Sequence, residues 1–97
     1  HGKFRRQRQM CIRDSNRIKS KGLINKSIKY GEWLYYNRKG MIKAKERWSD
    51  DIPNQLEWEK FYNKKGIIES EMYYKSGILH REIYYDENGK VFKSNKN

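Results

Sequence analysis

The sequence predicts an all-β chain, an elongated antiparallel meander of about three β-hairpin repeats laid out as a single-layer sheet. Three observations predict it. A turn-like hexapeptide recurs as YYNRKG ending at Gly40, FYNKKG ending at Gly66 and YYDENG ending at Gly89, with the glycines 26 and 23 residues apart. Apolar and charged residues alternate between the copies with the period of two that a strand imposes. No segment carries an apolar stripe at helical spacing. Composition agrees: 36% of the 97 residues are charged, yet three Trp, eight Tyr and three Phe are too many for a disordered chain. The length suits one small domain or a fragment of a longer protein. One cysteine excludes an internal disulfide. No run of about 18 apolar residues is present to span a membrane.

The chain begins at His1 rather than Met, so its natural start is expected upstream, and a signal peptide there would have gone with it. The compartment stays open, with the cytoplasm slightly favoured. Residues Arg5–Ser15, RRQRQMCIRDS, hold four of the eight arginines and the lone Cys11. This stretch resembles, residue for residue, the translated product of a transposase-delivered sequencing-library adapter. The alternative is a basic arm that neutralises phosphates. From Asn16 onward, lysine, isoleucine, asparagine and tyrosine dominate, as AT-rich codons would give. Residues 1–15 are therefore expected to be adapter-derived and disordered, without consistent contacts, and residues 16–97 to be the repeat domain. Removing Lys3, Arg5, Arg6, Arg8, Arg13 and Asp14 leaves 18 basic and 11 acidic residues, and the formal net charge falls from +11 to +7.

Residues 16–29 read as the degenerate end of a preceding repeat. Three units follow, at about 25–50, 51–76 and 77–94. In each, Asn or Asp, two polar residues and Gly suit a type I turn closed by a residue at positive φ. Glycine adopts that conformation without a Cβ penalty, so Gly40, Gly66 and Gly89 are structural turn glycines. Ser49 to Gln55, with the only proline, Pro53, reads as a surface loop. Lys75–Ser76–Gly77 reads as a tight turn. Lys93 to Asn97 should fray. Trp33 and Trp58 stand one residue out of step relative to their glycines, which suggests a bulge.

Parity counted from each glycine gives an apolar face of Leu34, Tyr36, Ile42, Ala44 and Trp48, then Trp58, Tyr62, Ile68, Met72 and Tyr74, then Ile83, Tyr85 and Val91. Glu46, Lys60 and Ser70 interrupt it. The opposite face collects Lys43, Lys45 and Arg47, then Glu57 and Glu59, then Glu69 and Glu71, rows that would pair across neighbouring strands. Tyr35, Phe61, Tyr73 and Tyr84 fall on that charged face and are the candidate partner-binding residues.

The pattern Gly31–Glu32–Trp33–Leu34–Tyr35–Tyr36, followed by polar residues and Gly40, resembles the variant MORN repeat. Glu57–Gly66 and Glu82–Gly89 look like further copies. Trp58 is not preceded by Gly–Glu, and Glu82 stands where the first unit has Trp33. The resemblance covers about Asn25 to Lys93. It implies an extended antiparallel sheet of hairpins and a role in binding partners, in bacterial proteins often labelled antitoxin components.

No catalytic constellation is legible. Past the adapter-like stretch there is one histidine, His80, and no cysteine. Asp50–Asp51 is an adjacent carboxylate pair, with no His or Cys nearby for a metal. Glycines recur at repeat spacing rather than in a phosphate cradle. No enzyme activity, cofactor, metal or small-molecule substrate is expected. The favoured function is a non-catalytic module for protein–protein interaction, with a protein partner or further repeats of the full-length chain supplying missing burial. The alternative is a basic surface that binds anionic lipid headgroups or nucleic acid.

Overall fold

A computed structural model describes residues 7–12 and 18–96. They form eight strands: β1 (Gln7–Ile12), β2 (Ile18–Asn25), β3 (Ile28–Tyr36), β4 (Ile42–Trp48), β5 (Leu56–Tyr62), β6 (Ile68–Lys75), β7 (Ile78–Tyr85) and β8 (Val91–Lys96). All belong to one sheet in the order β1-β2-β3-β4-β5-β6-β7-β8, each antiparallel to the next. The extents, 47 × 38 × 15 Å, are those of a single layer. No described residue forms a helix or a second layer.

The repeated turns are built by local chemistry. Asn37 Oδ1 accepts from the N–H groups of Lys39 and Met41, and Gly40 N–H donates to the Asn37 carbonyl. Asn63 does the same for Lys65, Ile67 and Gly66, and Asp86 for Asn88, Lys90 and Gly89. The closing glycines sit at φ of 83°, 85° and 83°. Hairpins β2–β3 and β6–β7 instead turn on residue pairs with positive φ at both positions, Lys26–Ser27 and Ser76–Gly77, which matches strand twist. The loop at 49–55 is closed by Ser49 N–H on the Gln55 carbonyl, while Ser49 Oγ accepts from Asp51 and Ile52 N–H.

Almost every strand pair carries an extra residue. The register steps over Lys19, Lys43, Glu57, Glu69, His80 and Phe92, each left without a direct cross-strand partner and each exposed. Such a bulge increases local twist and shifts which face the following residues present. Parity counted from the glycines therefore fails, and the expected apolar face is split. Leu34, Tyr36, Trp58, Tyr62, Ile83 and Tyr85 lie on one side of the sheet, and Ala44, Trp48, Met72 and Tyr74 on the other. The one-residue offset between the tryptophans is not a bulge: no extra residue lies between either one and its turn, and Trp33 and Trp58 face opposite ways.

Packing is densest near the start of the repeats. Tyr30 and Trp33 are the only described hydrophobic residues that are fully buried, at 1% and 2% exposure. Trp33 lies across Gly22, where a Cβ would come within 2.3 Å of the ring, and its indole N–H donates to the Leu23 carbonyl at 3.0 Å.

Two expectations about the ends need correction. Residues 7–12 do make consistent contacts, pairing along β2 as an edge strand whose register shifts once, between Cys11 and Ile12. An open strand edge offers a row of N–H and C=O groups that an extended segment of almost any sequence can satisfy. Residues 1–6 and 13–15, the rest of the stretch expected to be disordered, lie outside the described residues, as do residues 16 and 17. At the other end Lys93–Lys96 do not fray: they pair with Tyr84–Arg81 and complete β8.

Candidate interaction faces

Cross-strand neighbours share a face, so register assigns every side chain. One row runs Ser20–Tyr35–Ala44–Phe61–Ser70–Tyr84–Lys93. Three of the four candidate residues, Tyr35, Phe61 and Tyr84, thus stand in a single line across the sheet. The next row on the same side runs Trp33–Glu46–Glu59–Met72–Glu82–Asn95. This side, the acidic face, therefore alternates aromatic and carboxylate groups. Tyr73 does not belong to it. It pairs with Trp58 and Arg81 on the reverse.

Each carboxylate on the acidic face is held by a phenol. The Tyr35 hydroxyl and the Trp48 indole N–H both donate to Glu46 Oε1, the latter at 2.9 Å. The Tyr74 hydroxyl donates to Glu59 at 2.6 Å and the Tyr84 hydroxyl to Glu82 at 2.6 Å. The phenols respond. Burial, reinforced by the Glu59 hydrogen bond, pushes Tyr74 up to about 12. Burial and the bond to Glu46 raise Tyr35, and the bond to Glu82 raises Tyr84.

Around Glu46 the face closes into a cage. Lys29 Nζ lies 5.0 Å from the Trp33 ring centre, 5.3 Å from Tyr35 and 5.6 Å from Trp48. It donates to the Tyr35 hydroxyl at 2.7 Å and stands 3.8 Å from Glu46 Oε1. An ammonium ringed by aromatic faces and a carboxylate is a favourable cation site. Its one sign in the sequence is the acidic Glu46 interrupting an otherwise apolar alternation. Lys29 carried no such mark.

The reverse, basic face runs Lys21–Leu34–Lys45–Lys60–Glu71–Ile83, with Glu32–Arg47–Trp58–Tyr73–Arg81–Lys96 beside it. Lys21 lies over Tyr36, Lys45 over Tyr62 and Lys60 over Trp58, at 5.8, 5.7 and 4.6 Å. Glu71 is buried here, accepting from the Tyr85 hydroxyl and standing 3.6 Å from Lys60 Nζ. Its hydrogen bond, aided by burial, pushes Tyr85 up to about 12; Tyr73 is raised by burial and by Glu71. The expected pairing of basic and acidic rows is realised only in part. Arg47 meets Glu57 at 3.4 Å and Asp50 at 3.1 Å, but Lys45 opposes Lys60, and Glu59 lies on the other face.

His80 is the unpaired, exposed residue of β7, and Asp50 is engaged by Arg47. Among the described residues no group of three or more His, Cys, Asp or Glu side chains could hold a metal. Both faces carry ammonium groups over aromatic rings and carboxylates held by phenols.

No family model matches the sequence, and no curated protein matches it. Among solved structures the chain is similar to the crystal structure of accessory secretory protein 1, 2 and 3 in Streptococcus pneumoniae, with 12% sequence identity and a TM-score of 0.56. The match covers 92% of this chain and 17% of that one. At that identity the likeness concerns the fold alone.

Proposed function

We propose that the chain is a non-catalytic repeat module for protein–protein interaction, with the acidic face as its docking surface. The observation that carries this reading is the line of Tyr35, Phe61 and Tyr84 on a face that no second layer of the described residues covers. Tyrosine and tryptophan are the anchors that interfaces favour. A sheet of 47 × 38 Å exceeds the roughly 800 Å² per partner of a standard interface. The hairpins are read as variant MORN repeats of a bacterial protein, supported by the Gly31–Tyr36 pattern and the three Asn/Asp-to-Gly turns. That resemblance implies partner binding of an antitoxin-like kind. Residues 5–15 are read as adapter-derived, so the natural chain would present β2 to its own preceding segment.

A second reading has its own observation. Lys21, Lys45 and Lys60 each lie over an aromatic ring on the basic face, an arrangement that supports binding of anionic lipid headgroups or nucleic acid. Salt separates the two. Partners captured by the wild type would be compared with those captured by a Phe61→Ala/Tyr84→Ala variant, between about 0.05 and 0.5 M salt. A partner that survives high salt and is lost with the variant supports the protein interface. Binding that falls linearly with log salt and ignores the variant supports the polyanion reading.

A further inference from the structure

We propose that the open edge of β8 takes up an extended segment of a partner protein, one that carries a carboxylate, a spacer, an aromatic residue and a tyrosine in that order. This surface is distinct from the acidic face, and its occupant adds a strand to the sheet rather than lying across it.

The repeat supplies the template. β4 and β6 are the counterparts of β8: each follows a turn glycine and each is bulged at its second residue, Lys43, Glu69 and Phe92 in turn. Both counterparts receive the next strand in one register. Phe61 pairs with Ala44 and Glu59 with Glu46 across β4; Tyr84 pairs with Ser70 and Glu82 with Met72 across β6. The two incoming strands share one pattern, Glu, any residue, aromatic, Tyr, at Glu59–Tyr62 and Glu82–Tyr85. Tyr62 then lines a shallow cavity together with Ile42 of β4. Carried over to β8, this register sets an aromatic residue opposite Lys93, a carboxylate opposite Asn95 and a tyrosine against Val91.

β8 has no outer neighbour among the described residues, so its outward N–H and C=O groups form a row ready for pairing. Its side chains suit an occupant. Val91 is 56% exposed where Ile42 and Ile68 are half-buried, and Phe92 is 65% exposed where the earlier bulges carry Lys43 and Glu69. Lys93 leans back over the Tyr84 ring, 6.0 Å from its centre, instead of guarding the edge. Charge selects what binds. Lys90, Lys93 and Lys96 make the edge basic, so two copies of β8 would repel each other. A carboxylate opposite Asn95 lies diagonal to Lys93 on the same face, within its reach. The other end of the sheet shows the same mode, with β1 added to β2 as an extended segment.

The test titrates a capped peptide with the sequence of Gln55–Asn63 into the full chain by calorimetry. The expected result is saturable binding that Lys93→Glu in the chain weakens roughly two- to fivefold. The same peptide carrying Glu59→Lys should recover that loss. Backbone N-methylation of the peptide at alternate residues should abolish binding in one phase and spare it in the other, because only alternate N–H groups face one neighbour. Absence of saturable binding, or equal binding of the two methylated peptides, overturns the inference; a charge swap that recovers nothing overturns the register. Phe61→Ala in the chain should leave the affinity unchanged. A loss there would put the peptide on the acidic face, so that the edge falls and the docking face stands. Self-association of the wild type that Val91→Lys abolishes would make the occupant a second copy and likewise overturn a separate partner.

Discussion

Glu46 and Glu59 oppose each other across β4 and β5, two carboxylates in one cross-strand pair on the same face. Their situations differ. Glu46 accepts from Tyr35 and Trp48 and neutralises Lys29; Glu59 accepts from Tyr74. Glu59→Gln keeps an oxygen for Tyr74 and removes the repulsion, so stability should rise by roughly 0.2–1 kcal/mol, or about 1–6 °C in Tm. Glu46→Gln should lower stability by roughly 1–3 kcal/mol, because hydrogen bonds to a charged group become neutral ones and Lys29 loses its counter-ion. Thermal melts of the two variants, which should move in opposite directions, check this.

Gly22→Ala should be among the most damaging small substitutions. The added methyl would sit 2.3 Å from the Trp33 ring, inside contact distance, at the best-packed point of the sheet. Overpacking of this kind costs about 1–3 kcal/mol. The displaced indole should also show a red-shifted fluorescence maximum. An unchanged melting temperature would contradict the placement of Trp33.

The turns should tolerate chemistry that mimics them and reject chemistry that does not. Asn63→Ala deletes an acceptor for two backbone N–H groups and should cost about 1–2 kcal/mol. Asn63→Asp should be nearly silent, since Asp86 performs the same task in the third hairpin. Gly66→Val forces a β-branched residue to φ 85° and should destabilise by roughly 1–2 kcal/mol or more. Denaturant midpoints for the three variants give the order.

Alkaline pH should unfold the chain in a defined window. Tyr74 and Tyr85 are raised to about 12 in the folded state, against an ordinary value of 10.0. Below pH 10 both states keep the phenolic protons and this contribution to stability is complete. Between about 10 and 12 the unfolded chain releases them first, so stability falls as pH rises. Ultraviolet absorbance should resolve a tyrosine class that ionises well after the rest. Tyr74→Phe and Tyr85→Phe should each remove part of that late class.

Legibility in the sequence followed the range of the interactions. The hairpin turns could be read because their chemistry is complete within six residues. The meander followed from their spacing. The faces could not be read by parity, because Lys43, Glu57 and Glu69 each add a residue to one strand and not to its neighbour. Tyr35, Phe61 and Tyr84 could be grouped because each precedes its glycine by five residues; Tyr73 lies beyond a turn and a bulge, and its grouping was lost. The Lys29 cage joins residues of β3 and β4 that stand far apart on either side of a turn, so nothing nearby in the chain announces it.

In the meander each strand touches only the strands that precede and follow it in the chain. Mechanically the molecule is a ribbon folded back on itself. Tension applied to its two ends would load the hydrogen bonds one strand at a time, as in opening a zip. Extension should then proceed in a series of small, low-force steps, with the segment that holds Trp33 the last to yield.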